Sequence, residues 1–272
     1  MHLRDLLNME IKDFELERRR IEYLFQGQEF RIDYSTYTLK KYIANDFLKS
    51  SLRRTAISID DFINGCSQEW VCPSLLALLF YCEMILNLLG IMKINPWTNG
   101  TAITLQERIL ENISLLLDKT GYCSDKGSDG IISIVKKDAL ASAVIEDSTE
   151  VDVASAVLSY NRIETKGDIE GKRKLLFAIG KHVEPIIQRY KEFEGLKYDV
   201  ADDVRFGLNN LHVRHNNEAG KVAKPKLKQL PAVELESAYD DLYRAMLLLI
   251  ELEKYPETHA RIKKLRKSIN AG

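Results

Sequence analysis

Few familiar chemistries are written into this sequence. It holds only four cysteines, Cys66, Cys72, Cys82 and Cys123, and none of them forms a C-x-x-C pair. Neither a zinc ribbon nor a dithiol motif is therefore encoded locally. The run MHLRDLLNMEIKDFELERRR is charged throughout and has no apolar segment of the signal-peptide kind. Reduced thiols in a cytoplasmic protein are the expectation. Lysine and arginine number 39 against 40 acids, a net charge of −1, so no global field draws the chain to nucleic acid or an anionic membrane. H-E-x-x-H, G-x-S-x-G and G-x-G-x-x-G are all missing, and with them the commonest metalloprotease, hydrolase and dinucleotide sites. Gly167-Asp-Ile-Glu-Gly171-Lys172-Arg173 comes near a phosphate loop. It is one residue short between the glycines, ends in Arg where Ser or Thr should stand, and follows no strand. The adjacent acids Asp202-Asp203 and Asp240-Asp241 point to different faces of a helix, which suits caps and solvated surfaces better than a metal. No metal and no cofactor is expected. There is no internal repeat and no long low-complexity run.

One long apolar run does exist, over residues 73–92. Glu83 and Asn87 interrupt it and no basic cluster closes it, so a buried core helix is expected and a membrane span is not. Elsewhere the periodicity is helical. Residues 3–25 form an amphipathic pattern closed by Gly27. Ser35 and Thr36 look like caps for a helix reaching Arg54, with Leu39, Ile43 and Phe47 in step. A short helix follows from Asp60. Pro96, Asn99 and Gly100 make a turn, and Thr104-Leu105-Gln106-Glu107 reads as a capping box opening a helix through Leu117 to Gly121. IISIV, a turn at residues 136–138 and ALASAVI together predict a β-hairpin over residues 131–145. Beyond it, residues 151–160 are helical, and Lys166-Gly167-Asp168 supplies a breaker and an N-cap for a helix over residues 169–193. Leu175, Ile179, His182 and Ile186 fall on its inner stripe, His182 as a packed core histidine, with Pro185 as a kink and Gly195 as the stop. Residues 233–255 form another strong helix carrying Leu235, Leu242, Met246, Leu249 and Ile250, and Pro256 should break it before a short basic helix.

The fold class this predicts is all-α, a mainly helical bundle with one inserted β-hairpin. Its parts are an N-terminal helical region (1–125), the hairpin with a connecting helix (126–167) and a C-terminal helical region (168–272).

The densest polar stretch is DVADDVRFGLNNLHVRHNN, residues 199–217. As a helix it would place Arg205, Asn209, His212 and Asn216 on one face, beside a ridge of Val204, Leu208, Leu211 and His215. Lys221, Lys224, Lys226 and Lys228 follow, and Arg261, Lys263, Lys264, Arg266 and Lys267 crowd the C-terminus. Local clusters like these can bind phosphate on a neutral protein, although solvated lysines are the commoner outcome. His212 and His215 alone among the five histidines have polar company.

Arg205-x6-His212, between two long helices, resembles the R-x4-6-H signature of the HEPN superfamily. Asn209-Asn210 and Arg214-His215-Asn216-Asn217 are similar to the polar centres of its abortive-infection relatives. The likeness spans residues 168–255. It implies an all-α, commonly dimeric domain and a metal-independent RNase whose Arg and His converge from two protomers. Catalytic candidates are then Arg205, His212, Arg214 and His215, either Arg205 with His212 or Arg214 with His215. Asn209, Asn210, Asn216, Asn217, Lys221 and Lys224 are candidate substrate-binding residues. Phe206 stands where that family has a polar residue, which suits a fold that has kept its shape without catalysis. The chemistry is coherent in either pairing: histidine titrates near neutrality and can take a 2′-OH proton, while a guanidinium grips phosphate oxygens with two prongs. The expected partners are RNA or another nucleic acid, a second copy in a homodimer, or a larger defence complex. Two other roles compete. The asparagines can be helix caps with Arg214 and His215 paired to acids such as Asp202 or Glu218. Alternatively the chain is a helical accessory subunit that binds a larger protein or nucleic-acid complex without turnover.

Overall fold

The computed structural model describes residues 11–32, 34–67, 73–92, 100–148, 151–190, 196–214 and 230–270. The expectations for residues 3–10, Pro96, Asn99, Gly195, His215, Asn216, Asn217 and the lysines 221–228 lie outside these. The chain is mainly α-helical, with two small two-stranded sheets among the described residues. It divides into two compact units at Lys136.

In the first unit, α1 (Phe14–Glu22) starts where the Asp13 carboxylate accepts from the Leu16 amide, and it passes into a π-helical turn that ends at Gly27. A short ribbon follows, β1 (Glu29–Ile32) paired antiparallel with β2 (Ser35–Thr38). Ser35 and Thr36, expected as caps, are therefore strand residues. Thr38 caps instead, accepting from Lys41 at 3.4 Å, and opens α2 (Leu39–Lys49). Leu39, Ile43 and Phe47 are fully buried at the i, i+4 spacing that predicted them. Ser58 caps α3 (Ile59–Cys66).

The apolar run becomes α4 (Leu75–Gly90), a helix buried around most of its surface. Its two polar residues explain themselves against a strand. The Asn87 side-chain amide donates to the Ile132 carbonyl at 2.7 Å and accepts from the Ile132 amide at 2.9 Å, while Glu83 accepts from the Ile134 amide at 2.5 Å. Side chains of a helix thus satisfy a sheet edge that would otherwise face apolar surroundings without partners.

The helix α5 (Gly100–Thr120) begins earlier than expected. Thr104 lies inside it, its hydroxyl donating to the Gly100 carbonyl at 3.0 Å, so the sequence 104–107 is not a capping box. Gly121 takes the left-handed conformation that ends the helix (φ 78°). The hairpin exists, but its strands are β3 (Tyr122–Lys126) and β4 (Ile132–Lys136). ALASAVI is not its second arm. Asp138 accepts from the Leu140 and Ala141 amides at 2.9 and 3.1 Å and opens α6 (Ala139–Asp147). An N-cap followed by good helix formers overrides the alternating pattern. The boundary between the compact units consequently separates the hairpin from the helices that follow it, which a 126–167 segment would have joined.

The second unit packs α6, α7 (Val151–Tyr160), α8 (Ile169–Arg189), α9 (Leu196–Asn210) and α10 (Ala232–Asn270) around one apolar core. Asp168 caps α8 as expected, accepting from Gly171 at 2.8 Å after the left-handed Gly167. The buried stripe of α8 runs through Leu176, Ile179, Val183 and Ile186; Leu175 and His182 stand at its edge. Two glycines set the helix separations. A Cβ on Gly207 would stand 2.6 Å from a Leu242 methyl, and one on Gly180 would stand 2.9 Å from a Leu208 methyl, so α9 lies close to both α10 and α8.

Pro256 does not break α10, which continues to Asn270. Proline removes one backbone donor, which leaves the Leu252 carbonyl without its helical bond; Leu252 is partly exposed and Pro256 itself lies on the exposed side.

A polar lock also lies within this unit. Lys172, 4% exposed, donates to Asp240 at 2.6 Å and pairs with Glu236 at 2.9 Å, with its ammonium 5.2 Å from the Tyr160 ring centre. The Tyr160 hydroxyl donates to Asp240 at 2.9 Å, and its ring stacks on Tyr243 at 4.0 Å. α7, α8 and α10 meet at this cluster. Burial, helped by the neighbouring Asp240 carboxylate, pushes the Tyr160 hydroxyl well above its ordinary range.

Candidate functional site

The inner side of α9 is apolar: Val200, Ala201, Val204 and Leu208 are buried. Asp202, Asp203, Phe206 and Asn209 are exposed, and Arg205 is half-buried beside Asp202, three residues earlier and in ion-pair contact with it. To this point the expected face holds, with Arg205 and Asn209 one turn apart.

The helix then ends at Asn210, and the face does not continue to His212. Leu211 and Val213 are both buried, at 8% and 1% exposure. Residues 211–214 are bends and no longer helix, and the Arg214 amide reaches back to the Leu208 carbonyl, so both side chains enter the core from a chain that has turned away from the helix axis. Tyr239 reinforces the bend by donating its hydroxyl to the Leu211 carbonyl at 3.1 Å. His212, between the two, is turned outward in the left-handed region (φ 59°) and half-exposed. A seven-residue helical spacing from Arg205 to His212 therefore does not describe their relation.

Arg214 closes back onto the helix end. Its Nη1 donates to the Asn209 side-chain oxygen at 2.8 Å, its Nη2 pairs with Glu184 of α8 at 3.0 Å, and its backbone amide donates to the Leu208 carbonyl at 3.2 Å. Among the described residues the acid that meets it is Glu184, while Asp202 pairs with Arg205; Glu218 lies outside them. Asn210 donates to the Phe206 carbonyl at 2.7 Å, a helix-terminating role. Two candidates thus come together, Asn209 and Arg214; His212 stands two residues before Arg214 in the chain, between the buried Leu211 and Val213. Arg205 is tied into a local pair on the same helix. His215, Asn216, Asn217, Lys221 and Lys224 lie outside the described residues.

Phe206 is 55% exposed. An aromatic ring presented beside Arg205 and one turn from Asn210 offers a stacking surface at the rim of this polar patch.

A concavity elsewhere in this unit was not foreseen. Between α7 and α8 an open cleft of about 610 Å³ is lined by Asp152, Ser155 and Ser159 on one side and by Lys181, His182 and Pro185 on the other. Its volume is that of a small-molecule site. His182, expected in the core, is half-buried on this wall. The ammonium of Lys181 sits 4.8 Å from the Phe177 ring centre. The available signal was small residues on both helices, Ser155, Ala156 and Ser159 on α7 and Ala178 on α8, all of which line the cleft.

Among the described residues no group of three or more His, Cys, Asp or Glu could hold a metal ion. Among them, too, no helix is long and apolar enough to cross a membrane. Cys82 is fully buried, and burial pushes its thiol far above the ordinary range, so it is not a nucleophile. Comparison with known proteins finds no family model, characterised protein or solved structure that matches this chain.

Proposed function

We propose that this chain is a metal-independent RNase of HEPN type, of the anti-phage or toxin-like kind, in which Arg214 holds the phosphate and His212 or His215 serves as base. The observation that carries the reading is the double tether of Arg214. Asn209 from α9 and Glu184 from α8 hold its guanidinium from two elements, two residues from His212. A guanidinium fixed before substrate arrives costs little reorganisation when charge develops on a phosphate. Its N–H groups not used by Asn209 and Glu184 are the donors that would serve phosphate oxygens in this reading. In the reaction the imidazole takes the 2′-OH proton, and the 2′-oxygen attacks the adjacent phosphorus to form a 2′,3′-cyclic phosphate. The 5′-oxygen of the next nucleotide leaves and takes a proton from solvent water, to which the imidazolium later returns its own. Arg205, engaged locally by Asp202, acts in this reading as an outer contact beside Phe206. A second copy of the chain supplies the opposite wall, as the superfamily resemblance implies.

The test is cleavage of a labelled RNA in the presence of EDTA. Arg214→Ala should lower the rate by about 10²–10³-fold, as loss of a preorganised donor does elsewhere. Arg214→Lys should restore only part of it, because an ammonium lacks the fork. The double variant His212→Ala/His215→Ala should be inactive with an unchanged melting temperature, and Arg205→Ala should stay within about fivefold. Cleavage that persists in the double variant removes the proposal.

A second reading, a non-catalytic accessory subunit, is favoured by one observation: residues 255–267 of α10 are almost wholly exposed and strongly basic. It expects no RNA turnover and a co-purifying partner. Overproduction of the chain alone separates the two, since growth arrest relieved by the double-His variant belongs only to the RNase.

A further inference from the structure

The distal half of α10 is built differently from the rest of the second unit. Up to residue 250 the helix buries Tyr239, Leu242, Tyr243, Met246, Leu247, Leu249 and Ile250 in the core. From Tyr255 on, every described side chain but that of Thr258 is exposed. Yet the exposed part is not uniformly polar. Tyr255, Ile262 and Leu265 are exposed at 54%, 42% and 59% and recur at spacings of seven and three, which places them on one side of the helix. His259 lies beside the stripe, its ring centre 6.0 Å from that of Tyr255. The stripe from Tyr255 to Leu265 is roughly 15 Å long at the rise of an α-helix.

The charges around it are ordered too. Residues 255–267 carry five cations, Arg261, Lys263, Lys264, Arg266 and Lys267, against the single acid Glu257. With Tyr255 and Ile262 at the a positions of a heptad and Leu265 at d, Arg261 falls at g, and His259 and Arg266 fall at e. Both margins of the apolar stripe are therefore basic, and no carboxylate stands at either. The three lysines lie on the far side.

We propose that residues 255–267 are a docking helix whose partner is an acidic amphipathic helix of another protein, apolar along its centre and lined on both margins by Glu or Asp. Charge at the margins selects that occupant. A second copy of the same helix would set Arg and His against Arg and His in either orientation, and like charges at e and g oppose pairing. A nucleic acid would engage the lysine side and leave Tyr255, Ile262 and Leu265 in water. Among the described side chains an anionic membrane would receive three apolar ones, fewer than an interfacial helix ordinarily inserts. An acidic helix accounts for the apolar stripe and the two basic margins together. This surface is independent of the polar patch at the end of α9.

The full-length chain is titrated into a fluorescein-labelled three-heptad peptide with Leu at a and d and Glu at e and g, followed by anisotropy. The same peptide with Gln at e and g, a 20-nucleotide oligo(U) and vesicles of phosphatidylcholine and phosphatidylserine serve as competing occupants. The proposal expects binding of the Glu peptide at least tenfold tighter than of the Gln peptide, weakening with salt. It expects Ile262→Asp and the pair Arg261→Glu/Arg266→Glu each to raise Kd at least tenfold while the circular dichroism spectrum is unchanged. Binding that survives Ile262→Asp, tighter binding to oligo(U) or to vesicles than to the Glu peptide, or self-association abolished by Ile262→Asp would each overturn it. RNA cleavage assayed on the Ile262→Asp variant separates the two ideas, because that residue has no part in the proposed reaction.

Discussion

Replacing Lys172 by Met tests what holds the second unit together. The side chain of Lys172 is 5% exposed, and its ammonium meets Glu236 at 2.9 Å and Asp240 at 2.6 Å, with exposures of 21% and 40% for the two acids. Methionine keeps most of the stem's packing and removes the charge. Breaking a wholly buried pair by deleting one partner costs about 3–5 kcal/mol. Here both acids reach solvent, Asp240 by more than a third, so hydration recovers part of that and the expected loss falls to about 2–3 kcal/mol. For a unit of this size that lowers the melting temperature by roughly 6–10 °C. The loss also depends on pH. Burial disfavours ionisation of Glu236, but the bond from Lys172, the Gly167 amide and the Lys172 charge outweigh it and hold the carboxyl below its ordinary value. A carboxylate depressed in the folded state stabilises fully above its unfolded pKa of about 4.5, and that contribution is lost as pH falls through the folded value. The difference between wild type and Lys172→Met should be largest at pH 7 and should shrink below pH 4.5. Urea titration followed by hydrogen exchange in peptides of α7 and α8 reads this unit apart from the other, as two compact units need not unfold together. A difference under about 0.5 kcal/mol at pH 7, or one that does not change with pH, refutes the assignment of the cluster as a structural lock.

Two further substitutions probe the packing. Asn87→Ala removes both bonds to Ile132 and should cost about 2–3 kcal/mol, with the Ile132 and Ile134 amides losing protection in hydrogen exchange; a thermally neutral variant would show that the sheet edge finds water instead. Gly207→Ala gains about 1 kcal/mol of helix propensity, but its methyl meets Leu242 at 2.6 Å and should lose about 1–3 kcal/mol to overpacking, so the melting temperature falls. Adding Leu242→Ala should cost less in that background than in the wild type, and strict additivity of the two would contradict the close approach.

Much of the candidate site was legible because its ingredients are local. Residues of the right chemistry, an arginine, two asparagines and a histidine, stand within a dozen positions at a helix end. Their mutual geometry was not legible. Helical periodicity assumes that the helix goes on, and nothing between Asn209 and Arg214 is a strong breaker. The helix ends at Asn210, and Leu211 and Val213 beyond it are both buried in the core that α8 and α10 help to build. The same core brings Glu184, thirty residues earlier, to Arg214. The α7–α8 cleft and the place of His182 on its wall likewise depend on how two helices meet.

By itself the sequence determined the helices whose signals are local: the i, i+4 burial of Leu39, Ile43 and Phe47, the Asp168 cap after Gly167, and the apolar register of α4 and of the first half of α10. Caps and periodicity act within a few residues, so their energies can be read in a short window. Tertiary structure alone decided where polar and ambiguous segments went. It matched Glu83 and Asn87 to a strand edge about fifty residues away, and set Lys172 between two acids of α10. It also bent the chain at His212 and let α10 run through Pro256 into water. Each of these outcomes turns on the partner that satisfies a buried polar group or covers an apolar one, and that partner is supplied by the fold.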